Sequence, residues 1–144
     1  MDKLAQEGIP NIVLPKVHID GLDFSFSGLK TAIINLHHKT PDINKANLAA
    51  SFEKDVAEIL LDNTRKAVKE SNINKIALAG GVSANSYIRK AFKELEEKEN
   101  IKVYYPELKL CTDNAAMIAS AGYYNFLKGN FSDLKLNAVP NLKL

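Results

Sequence analysis

Between residues 44 and 70, Leu48, Phe52, Val56, Ile59, Leu60, Thr64, Ala67 and Val68 recur at spacings of three and four, with Lys, Glu, Asp and Arg between them. That period predicts one long amphipathic helix serving as scaffold. The same period in SFSGLKTAIINLHHK, at Leu29, Ala32, Ile33 and Leu36, predicts a shorter helix with Ser27 as its N-cap. It should end before Pro41, which disfavours a helical Thr40. The apolar run Ile76-Ala77-Leu78-Ala79 predicts a buried strand, which stops at Gly80-Gly81. Beyond the glycines the pattern switches to Ala84, Ile88, Ala91, Phe92 and Leu95, a helix over about 84–98. KVYYPE reads as a second short strand stopped by Pro106.

The last helix is expected near CTDNAAMIASAGYYNFLKGN, capped by Thr112 or Asp113, with Gly129 just past its end. Its run of Ala115, Ala116, Ala119, Ser120, Ala121 and Gly122 predicts very close packing against a backbone or a ligand. Pro10, Pro15, Gly8 and Gly21 give residues 9–26 an extended course, with LDFSF as a short strand, and FSDLKLNAVPNLKL reads as an extended strap. The organisation expected is one α/β domain, helix-rich with a small parallel sheet. Residues 1–26 form an extended N-terminal segment, 27–72 a helical insert, 73–130 a βαβα nucleotide-binding unit and 131–144 an extended tail.

Composition adds only bounds. The 144 residues suit one domain, and 46% hydrophobic with 25% charged residues is an ordinary globular balance. A net charge of +2 does not by itself argue for nucleic acid or membrane. The single cysteine, Cys111, excludes an intrachain disulfide and fits a reducing compartment. No apolar run is long enough for a membrane span, so the expectation is a soluble, cytoplasmic protein with no membrane partner. MDKLAQEG looks like the end of a helix, which suggests a piece of a longer protein.

Two places offer chemistry. Glycines after a strand let a ligand approach bare backbone, and a following helix N-terminus offers N–H groups to phosphate. Gly80, Gly81 and Asn85 thus read either as a tight βα turn or as a nucleotide contact. Asp113 is either a helix cap worth about 1 kcal/mol or a carboxylate for a divalent metal. Adjacent His37 and His38 point about 100° apart on a helix and cannot share one metal; His18 stands alone. Cys111, with no positioned base evident, reads as a small buried residue.

Taken together, DFSFSGLKTA (23–32), LAGGVSANSYIR (78–89) and CTDNAAMIASAGYY (111–124) closely resemble the C-terminal half of the TsaD/Kae1/Qri7 family, formerly labelled O-sialoglycoprotein endopeptidase or glycoprotease. The resemblance covers essentially the whole chain. It implies the C-terminal lobe of an actin-like ATPase/sugar kinase/Hsp70 (ASKHA) fold. The implied activity is transfer of threonylcarbamoyl from threonylcarbamoyl-adenylate to N6 of the tRNA adenosine beside the anticodon. It implies adenylate contacts at Gly80, Gly81 and Asn85 and a metal ligand, for iron or zinc, at Asp113. Ser27 and Lys30 are candidate cleft residues without an assigned role. Implied partners are tRNA, the protein's own N-terminal lobe, and in bacteria a TsaB-like paralogue and a TsaE-like ATPase.

The sequence departs from the family where its N-terminal half would be. The His-x-Glu-Gly-His segment, the Ser-Gly-Gly-His-Thr loop and the Gly-Glu-Ala-Phe-Asp segment are all missing. The chain alone is therefore expected to be inactive and, with its small-residue face uncovered, prone to self-association. The alternatives are a lobe of a related carbamoyltransferase or kinase, or a non-catalytic paralogue acting as an interaction module. No His-Glu-x-x-His helix or nucleophile triad supports a protease.

Overall fold

A computed structural model describes residues 1–15 and 21–140. His18 lies outside the described residues. The chain divides into two compact units, Met1–Cys111 and Thr112–Leu144. In the first, α1 (Asp2–Ala5), α2 (Ser27–Lys39) and α3 (Lys45–Ser71) precede β1 (Lys75–Ala77), α4 (Ser86–Lys98) and β2 (Lys102–Tyr104). The strands pair in parallel with Ile76 opposite Val103, and Leu78 N–H extends the ladder to the Tyr104 carbonyl at 2.8 Å. The expected helix-rich α/β order with a small parallel sheet is present, here a sheet of two strands.

The long periodic stretch is indeed one helix. Asn44 caps α3, its side chain accepting from Ala46 N–H and Asn47 N–H at 3.0 Å each. Asn72, in the left-handed conformation, ends it. One stretch of α3 packs with α4 and the sheet, in a core of Ala57, Ile88, Phe92, Leu95, Ile101 and Val103. Burying each large member contributes on the order of 1.5–3 kcal/mol. A second cluster centres on Leu14, Leu29 and Leu48, so the apolar face of α2 covers the first half of α3. The N-terminal segment is laced to the same helix: Ile9 N–H donates to Asn47 Oδ1 (2.9 Å) and Ile12 N–H to Ser51 Oγ (3.0 Å).

Several expectations need correction. LDFSF is irregular; Phe24 and Phe26 stack at 6.0 Å instead of entering a sheet. Ser27 is the first helical residue of α2, not its cap. Phe26 holds the cap position, and no side chain caps the helix. The helix after the glycines starts two residues later than its apolar pattern suggested. Residues Gly81–Ala84 form a 3₁₀ turn, and Asn85 caps α4. In the second unit, α5 (Ala115–Leu127) is capped by neither Thr112 nor Asp113 but by Asn114, whose Oδ1 accepts from Met117 N–H at 3.0 Å. Asn114 also donates to the Thr112 carbonyl at 2.8 Å, which fixes the chain path into the helix. No residue of α5 is buried. Gly129 stands just past the helix with φ +72°, as expected, and residues 131–140 are without helix or strand.

α1 is short, yet two contacts fix it. Gly8, which follows it, lies so close to α3 that a Cβ would overlap the Ala46 carbonyl and stand 2.7 Å from Asn47 N. Asp2 reaches the start of α4: Oδ1 accepts from Ser86 Oγ at 2.6 Å and Oδ2 from Ser86 N–H at 3.1 Å. The Ser86 hydroxyl, followed by the Ser86 amide and Gln6, holds this carboxyl below its ordinary value of 3.8 against a smaller opposing effect of burial.

Gly8→Ala is expected to destabilise the fold by about 1–3 kcal/mol, the usual cost of forcing a methyl into a packed contact, measured by urea unfolding. A carboxyl held low in the fold stabilises it above the ordinary carboxyl value, and that contribution is lost as pH falls through the lowered one. Asp2→Asn should therefore destabilise at neutral pH, with the gap to wild type narrowing as pH drops below 3.8. Unfolding curves for the pair across that range check both the sign and the window.

Candidate functional site

β1 ends in the glycine turn because the chain must reverse there with a backbone only glycine adopts readily. Gly80 has φ +82° and ψ 168°, and a Cβ would meet no neighbour, so conformation alone demands the glycine. Its carbonyl accepts from both Ser83 N–H (3.0 Å) and Ser83 Oγ (2.7 Å), closing the turn. Gly80 and Gly81 themselves are exposed. The strand–turn–helix order read from the sequence thus brings Gly80, Gly81 and Asn85 together.

Beside the turn is a cleft of about 660 Å³, within the size range of small-ligand pockets. Phe52, Val56 and Leu60 of α3 form one wall, and Val82 and Ile88 the other. Gly81, Asn85, Glu53 and Asp2 supply its polar edge. Phe26, from the DFSFSGLKTA stretch, also lines it. Ser27 and Lys30 are exposed on α2 and are not among the lining residues.

The α4 N-terminus differs from the open anion site expected of it. Asn85 Oδ1 accepts from Ile88 N–H at 2.9 Å, and the Asp2 carboxylate takes Ser86 N–H. Two first-turn amides are therefore satisfied by the protein, one of them by a negative charge that repels phosphate. The arrangement is better matched to an apolar ring with a polar edge than to a phosphate. On α4, burial and the Glu58 carboxylate raise the Tyr87 phenol above its usual value.

Glu53 and Arg89 were not foreseen. Glu53 is buried on α3, 5% exposed, and its Oε1 accepts from Asn85 Nδ2 at 2.7 Å. The signal was present as Ala49-x-x-x-Glu53-x-x-x-Ala57, a carboxylate in a row of small residues one turn apart. Arg89 donates to the carbonyls of Ser83 (2.6 Å) and Pro106 (2.8 Å) and to Cys111 Sγ (3.1 Å). Its guanidinium lies 5.4 Å from the centroid of the Tyr105 ring. Cys111 is buried, as expected of it.

Asp113 belongs to the second unit, exposed, immediately before Asn114 and α5. Among the described residues no group of three or more His, Cys, Asp or Glu side chains stands where it could hold a metal. His37 and His38 are exposed on α2, their rings 6.5 Å apart. No helix among the described residues is long and apolar enough to cross a membrane.

Against known proteins, the family described as TsaD, tRNA N6-adenosine threonylcarbamoyltransferase, matches residues 1–120. Relatives carrying that name include proteins of Clostridium kluyveri (49% identical), Clostridium perfringens (50%) and Thermosipho africanus (52%). Each alignment takes in 100% of this chain and 44–45% of the relative, so the chain spans a little under half their length. With a family match over most of its residues and about half of them identical in such relatives, the chain belongs to the TsaD family.

Proposed function

We propose that this chain is the adenosine-facing C-terminal lobe, of actin-like/sugar kinase/Hsp70 architecture, of a tRNA N6-adenosine threonylcarbamoyltransferase. At full length, the protein transfers threonylcarbamoyl from threonylcarbamoyl-adenylate to the tRNA adenosine beside the anticodon. The exocyclic N6 amine attacks the carbamoyl carbon. The bond from that carbon to the phosphate oxygen breaks, AMP departs and the amine gives up a proton. The observation that carries this reading is the cleft in which the GGVSAN turn meets the apolar wall of α3. An adenine ring gains from burial between Val56, Leu60, Val82 and Ile88, while Asn85 offers an amide at its edge. The bare backbone at Gly80 and Gly81 admits the ribose side of the nucleotide.

Asp113 is assigned as one ligand of a divalent metal, iron or zinc. A lone exposed carboxylate does not make such a site, so the remaining donors must come from outside the described residues. Outside this chain, the reading calls for the N-terminal lobe, tRNA and, in bacteria, TsaB-like and TsaE-like proteins.

In the protein at the full length of its relatives, Asn85→Ala should weaken AMP binding by roughly two- to thirteenfold, matching the net worth of one hydrogen bond. Calorimetric affinities alongside melting temperatures check this, and unchanged binding would refute the placement. Asp113→Asn should lower metal content and tRNA modification about tenfold or more, because it removes the charge a divalent cation prefers. It should leave the melting temperature nearly unchanged, since Asn114 and not Asp113 caps α5. Metal retained with full activity in that variant would remove Asp113 from the site.

A further inference from the structure

We infer that Glu53 is a positioning residue that fixes the Asn85 carboxamide and so sets which of its hydrogen-bonding groups meet the nucleotide. The inference rests on the nucleotide reading given above. A carboxylate buried to this degree needs a donor aimed at it, and Asn85 Nδ2, at 2.7 Å, supplies one. The other end of the carboxamide is equally committed, because Oδ1 accepts from Ile88 N–H at 2.9 Å. A flip of the amide would set Oδ1 against the Glu53 carboxylate and Nδ2 against the Ile88 donor. Both contacts would become repulsive, so only one orientation survives.

Two groups of the carboxamide then remain: the second N–H on Nδ2 and the second lone pair on Oδ1. Asn85 is half-buried and lines the cleft. With its orientation fixed before a ligand arrives, the amide presents that donor and acceptor without reorganising. The capping bond alone leaves Nδ2 free to shift about the cap. The bond to Glu53 removes that freedom, from a helix 32 residues earlier in the chain.

The test uses the protein at the full length of its relatives, with AMP as probe and calorimetry as readout. Glu53→Met keeps volume and suits the apolar surroundings but offers no acceptor; Glu53→Gln keeps an acceptor oxygen. Glu53→Met is expected to weaken AMP binding about fivefold with little change in melting temperature, and Glu53→Gln to stay within about twofold of wild type. In an Asn85→Ala background, Glu53→Met should add nothing, because its effect passes through the amide. If Glu53→Met binds AMP like wild type, or weakens it equally with Asn85 absent, the positioning role is overturned while the nucleotide site stands. If Asn85→Ala alone leaves AMP binding unchanged, the nucleotide reading of Asn85 falls, and the positioning role falls with it.

Discussion

The first unit depends on how closely its neighbours approach α3. Along this helix Ala49, Ala50 and Ala57 are buried, and Ala46 faces Gly8 with no room for a Cβ between them. Small residues bring backbones together, and that closeness brings Glu53 within reach of Asn85 at the cap of α4. With bulkier side chains in this row, α1 and α4 would stand off. Glu53 would then reach water, and Asn85 would cap its helix with a mobile amide. One packing constraint thus places the core, the N-terminal segment and the polar edge of the cleft.

The cleft carries few polar side chains, and each is held by the protein. Asn85 is held at both ends, and Asp2 is held by Ser86 and Gln6. A ligand entering here meets apolar walls and a small, oriented set of donors and acceptors, an environment suited to recognising a ring edge.

What could be read from the sequence was whatever periodicity and glycine punctuation encode. The long helix, the strand–turn–helix–strand order and the proximity of Gly81 to Asn85 all follow from local pattern. Helix starts were less legible. Several polar residues near each end can cap, and the chain path selects among them: Asn114 over Thr112 and Asp113, Asn85 over Ser83. Ser27 lost its cap position because the helix already begins at that residue. Glu53 was hard to read for a different reason. Its one hint of burial in the sequence is its place between Ala49 and Ala57, and only the approach of α4 turns it into a buried acceptor. The reading of Asp113 as a ligand rests on family resemblance, since an exposed carboxylate before a helix carries no such message locally.

The guanidinium of Arg89 has a consequence for motion. One planar group holds the Ser83 carbonyl in the glycine turn, and also the Pro106 carbonyl and Cys111 Sγ in the segment after β2. Releasing any one partner disturbs a rigid fork shared by the others, so these two loops cannot loosen independently at small cost. Opening either loop therefore costs a contact of the guanidinium that also holds the other, although more than twenty residues separate them along the chain.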